Sequence, residues 1–75
     1  MKTYKNLSGD SGVVAYEVGK TSIKIKFEGE SGVYIYDYKR PGKLAVEKMK
    51  ALALKGEGLS TYISQEVGTN FSSKK

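Results

Sequence analysis

Neither cysteine nor histidine occurs in the 75 residues. The first absence removes disulfide frameworks, thiolate metal sites and cysteine nucleophiles together. The second removes the commonest metal ligand and the usual general base near neutral pH. The acids, scattered from Asp10 to Glu66, form no spaced pair of the kind that acid–base catalysis or a hard-metal site requires. These gaps predict a chain that is not an enzyme and that carries no cofactor and no metal. The opening Met1–Asn6 lacks a long apolar run, so neither a signal peptide nor a membrane span is expected. A cytoplasmic protein of bacterial or phage origin is the expectation, with no membrane partner.

What is present is basic. Thirteen Lys and Arg against eight Asp and Glu give a formal net charge of +5, an excess that favours RNA or another polyanion as partner. The length leaves room for one domain and one modest core, so few apolar residues can be spared for a site.

Hydrophobic patterning predicts an α+β fold, an antiparallel meander of three to four strands with one helix packed across one face. Residues 1–10 read as a loosely ordered segment, except where Tyr4 or Leu7 docks. The domain occupies 11–67 and a frayed tail 68–75. Gly9-Asp10-Ser11-Gly12 has the string found around a serine-protease nucleophile; without histidine that chemistry is closed, and a turn is the better reading. Val13–Val18 is β-branched and aromatic and ends at Gly19-Lys20. Ile23–Glu28 alternates apolar and charged residues with period two. Gly29–Gly32 turns the chain into the third strand, Val33–Tyr38.

Pro41 suits the first turn of a helix. Over Lys43–Lys55, residues Ala45, Val46, Met49, Leu52 and Ala53 share one arc, and Gly56 fits a left-handed cap. In Leu59–Val67 the alternation of Tyr62, Ser64 and Glu66 with Ile63, Gln65 and Val67 leans to a strand.

The tyrosines define two alternatives. Tyr34, Tyr36 and Tyr38 share one strand face. A two-residue turn at Glu30-Ser31 sets Phe27 opposite Tyr34 and Ile25 opposite Tyr36, and the tyrosines join the core. A three-residue turn, Gly29 to Ser31, sets Ile25 opposite Ile35. Tyr34 and Tyr36 then stand beside Lys26 and Lys24 on the open face, a stacking platform for single-stranded bases. Lys39, Arg40 and Lys43 gather where strand passes into helix beside Tyr38. Lys55, with Ser60 and Thr61 after the helix, is a further candidate phosphate contact.

Tyr16, Ile23, Ile25, Phe27, the glycine turn and Tyr34-Ile35-Tyr36, followed by a helix, Lys55-Gly56 and Ile63, resemble the KTSC domain. That family is named from a C-terminal extension of some lysyl-tRNA synthetases and also occurs as short bacterial proteins. The resemblance spans about residues 11 to 64. Where the family commonly has Ser-Lys-Gly, then an aromatic pair before asparagine, this chain has Leu54-Lys55-Gly56, then Gly58-Leu59 and Ser60. The loop before the Tyr-x-Tyr is also longer.

The resemblance implies the fold, and its synthetase context points to RNA. The expected function is a binding module using Tyr34, Tyr36, Tyr38, Lys24, Lys26, Lys39, Arg40, Lys43 and Lys55. The alternatives are a protein-interaction module, such as a phage inhibitor of a host factor, and a sponge for a small phosphate-bearing ligand. Oligomeric state is not legible in the sequence.

Overall fold

The computed structural model describes residues 1–7, 9 and 12–75. Its sheet has five antiparallel strands in chain order: β1 (Lys2–Thr3), β2 (Val13–Val18), β3 (Ser22–Phe27), β4 (Val33–Asp37) and β5 (Ser73–Lys74). Helix α1 spans Lys43–Lys55, and α2 (Leu59–Tyr62) runs on into a π-helical turn, Ile63–Val67. The expected α+β meander is therefore present, with one edge strand more than expected and a second helical element. Asp10 and Ser11, inside the turn read at Gly9–Gly12, lie outside the described residues.

Alternation in β3 buries Ile23 and Ile25 completely beneath the helices. The period-two rule is broken once, in β2. There Val13 pairs with Phe27 but Ala15 pairs with Lys26, a bulge that leaves Val14 extra. The added residue lets Val13 and Tyr16, three positions apart, both point into the core. The Val14 carbonyl accepts a hydrogen bond from the Tyr4 amide at 2.9 Å.

Val46, Met49 and Ala53 are the buried stripe of α1. Gly56 caps the helix with φ of 86°, its N–H bonded to the Leu52 carbonyl. A Cβ at this glycine would lie 2.7 Å from the Lys5 Cβ, and the Gly56 carbonyl accepts from the Leu7 amide at 2.8 Å. The helix end and the N-terminal segment are thus locked together.

Four readings are corrected. Leu59–Val67 is helical, and its buried Leu59, Ile63 and Val67 recur every four residues. The N-terminal segment is tied down: β1 pairs with β2, and Tyr4 is buried against Tyr16, its hydroxyl accepting from the Leu59 amide at 3.3 Å. Leu7 stays exposed. The tail is also paired, with Tyr34 opposite Lys74 and Ile35 opposite Ser73. Pro41 sits ahead of α1, where Gly42 is the N-cap, and not within its first turn.

Candidate nucleic-acid interface at the strand–helix junction

The β3–β4 register decides the fate of the tyrosines. Ile25 lies opposite Tyr34 and Ile23 opposite Tyr36. This differs by two residues from the pairing a two-residue turn would impose, and a shift of two preserves the face. Tyr34 and Tyr36 therefore lie on the helix-covered side, while Lys24 and Lys26 share the other face with Ile35 and Val33. The lysine-flanked tyrosine platform is not formed. Tyr36 is only 1% exposed, so its ring has no surface to offer a base. Tyr34 is half-buried between Phe27 and Phe71, with ring centroids 5.3 and 4.8 Å away.

Other candidate residues are also separated. Lys24 pairs with Glu17 at 3.6 Å on the open face, and the Lys26 ammonium donates to the Glu30 carbonyl. Lys55 pairs with Glu57 at 3.4 Å. It lies at the far end of a 13-residue helix from Lys43, about 18 Å along the axis at 1.5 Å per residue.

Tyr38, Lys39, Arg40 and Lys43 remain together at the β4–α1 junction. Asp37 builds the turn that presents them. Its carboxylate accepts from the amides of Lys39 and Arg40, both at 3.0 Å, in the manner of an Asx turn. The Asp37 N–H donates to the Arg40 carbonyl at 2.8 Å. A hydrogen bond from the Ser72 side chain, then the Arg40 amide, holds the Asp37 carboxyl below its ordinary range. The turn is thereby tied to the C-terminal segment, and the Arg40 guanidinium reaches Asn70 Oδ1 at 2.9 Å.

Tyr38 is the hinge of this surface. Its hydroxyl donates to Glu47 Oε2 at 2.7 Å. The ammonium groups of Lys43 and Lys50 lie over its ring, 5.8 and 5.7 Å from the centroid. Lys50 also pairs with Glu47 at 2.9 Å and donates to the Lys20 carbonyl at 3.0 Å. Glu47 is held low by its bonds to Lys50 and then Tyr38, and the same Glu47 bond pushes the Tyr38 phenol up. One carboxylate so fixes a phenol and a lysine, leaving Lys39, Arg40 and Lys43 as the exposed cations around them.

Four members of this group, Glu47, Lys50, Asn70 and Ser72, are not among the site residues expected from the sequence, although Lys50 and Glu47 belong to the charged run that follows the tyrosines. Lys50 and Glu47 stand seven and four positions beyond Lys43 on the helix, a spacing that puts them on its flank. Asn70 and Ser72 reach the junction only through the tail's return to β4, which no local signal announces. Among the described residues, no three acidic side chains gather as a metal-ligand set, and no helix is long and apolar enough to cross a membrane. The chain matches no family model, no curated protein and no solved structure at a significant level. The KTSC resemblance thus rests on the motif residues named above.

Proposed function

We propose that this chain is a small, non-catalytic, cytoplasmic module that binds RNA through phosphate contacts at the β4–α1 junction. What carries the reading is the gathering of Lys39 and Arg40, on a turn fixed by Asp37, with Lys43 at the start of α1 over the Tyr38 ring. Cations held on a rigid turn lose little freedom on meeting phosphates, and each contact releases counterions. The net charge of +5 and the KTSC resemblance argue in the same direction. Of the three tyrosines at 34, 36 and 38, Tyr38 is the one at this junction that stacks a base; Tyr36 is enclosed, and Tyr34 packs between Phe27 and Phe71. Recognition by this surface follows backbone charge more than base identity.

Fluorescence titration of a short single-stranded RNA at several salt concentrations tests this. The K39Q/R40Q/K43Q variant is expected to flatten the salt dependence by about two units of slope, at roughly 0.7 per phosphate contact. K24Q/K26Q, altered on the opposite sheet face, is expected to bind as the parent does. Equal losses from both variants, or no binding by the parent at low salt, would reject the junction as the site.

A second reading is a protein-interaction module using the open sheet face. A shallow groove of about 290 Å³ there is lined by Val33 and Ile35 with Met1, Glu17, Lys24 and Lys75. Introducing Asp at Ile35 would abolish such an interaction and leave RNA affinity unchanged, which separates the two readings by pull-down and titration.

A further inference from the structure

Between the β3–β4 turn and the 68–71 stretch lies a cavity of about 400 Å³ with different chemistry. Its walls include Phe27, Tyr34, Tyr36 and Phe71, with Glu28 and Glu30 also lining it. The rings of Phe27 and Phe71 stand nearly perpendicular to Tyr34, at 83° and 88°. Phe71 also meets Tyr36 edge-on, with centroids 6.3 Å apart. The Tyr36 hydroxyl makes no hydrogen bond among the described residues, and none of their fully enclosed side-chain polar atoms lacks a partner. That hydroxyl is therefore not fully enclosed, and Tyr36 is among the residues that line the cavity. Burial pushes this phenol up to about 12, so near neutral pH it is a neutral donor and acceptor.

Two of the lining residues, Tyr34 and Glu30, already hold a cation of the chain's own. The Lys74 ammonium lies 5.1 Å from the Tyr34 ring centroid and pairs with Glu30 Oε1 at 3.2 Å. The Tyr34 hydroxyl donates to the same carboxylate oxygen at 3.0 Å. That bond, then Lys74, holds Glu30 below the usual carboxylate range, which keeps it charged. Perpendicular aromatic rings with a fixed anion are the surroundings that desolvated organic cations seek. A bare metal ion would need a shell of oxygen ligands instead.

We propose that this cavity is a binding site for a small organic ammonium ion, held by the rings of Phe27, Tyr34 and Phe71 and by the carboxylate of Glu30. Glu28 adds negative charge and the Tyr36 hydroxyl meets a polar group on the ligand. Lys74 competes for the same carboxylate and ring, so the tail sets the affinity of the site.

Choline and its neutral isostere, in which a quaternary carbon replaces the nitrogen, are the probes. Titration of each into the full chain is followed by NMR of the aromatic side chains. Choline is expected to shift the ring resonances of Phe27, Tyr34 and Phe71, while the isostere shifts them much less at equal concentration. E30Q is expected to weaken choline binding about fivefold, the scale of a partly exposed charge pair. K74A is expected to tighten it. Backbone spectra of both variants report whether the fold is kept. Equal response to choline and isostere would mean an apolar hollow only and overturn the proposal. So would no response to choline, or E30Q binding choline as the parent does.

Discussion

At the scale of single residues, Tyr36 shows how burial alters chemistry. Enclosure, with Tyr34 as the lesser cause, raises its phenol from 10.0 to about 12. In the unfolded chain the phenol ionises near the ordinary value. As pH rises between the two values, the unfolded state sheds its proton first and is favoured. The stability concerned is fully present below the unfolded value and is lost toward the folded one, by at most about 1.4 kcal/mol per pH unit. Urea melts at about pH 9 and about pH 11 should show a larger drop for the parent than for Y36F. An equal drop would mean that other groups dominate alkaline unfolding. Tyr38, two positions on, lies just past the end of β4, in an exposed network of lysines and Glu47. One period-two pattern in the sequence thus yields a core tyrosine within β4 and a surface tyrosine in the turn beyond its end.

At the scale of elements, α1 was fully legible because two independent signals agreed. Val46, Met49 and Ala53 fix its buried face, and Gly56 fixes its end. Replacing Gly56 by Ala should cost about 1–2 kcal/mol from left-handed strain alone. The contact with the Lys5 Cβ should add to that loss, seen as a lower urea midpoint; an unchanged midpoint would contradict the cap. The segment 59–67 carried a helical signal too, Leu59, Ile63 and Val67 at four-residue spacing. Tyr62 and Ile63 also fitted alternation, and in so short a stretch the two periods compete. The β3–β4 register was legible only in parity. Both turn lengths weighed for Gly29–Gly32 were shorter than the one formed, but the face shown by the tyrosines depends on whether the offset is odd or even. The junction's basic residues were legible as a cluster along the chain, whereas Lys24, Lys26 and Lys55 were scattered by the fold. The tail's pairing with β4 joins positions some forty residues apart, and local sequence carries no trace of such a contact.

At the scale of the molecule, one core runs from Tyr4 to Val67, with Phe71 packed against it. Both chain ends are structural: β1 closes one margin of the sheet and β5 the other. Removing residues 71–75 should therefore cost more than a frayed tail would. Loss of Phe71 from Tyr34 and Tyr36 alone is expected to cost about 2–3 kcal/mol, below the range for fully buried rings, and a small domain has few such units to lose. Thermal unfolding of the truncated chain checks this, and an unchanged midpoint would contradict it. The two margins have a further consequence. Each is a two-residue strand carrying a lysine, Lys2 or Lys74, a short charged border that discourages sheets from joining edge to edge. The strand behind Lys74 is Val33-Tyr34-Ile35-Tyr36-Asp37, rich in the residues that stack into fibrils. Shortening this chain at its C-terminus should turn a self-limiting sheet into an amyloid template.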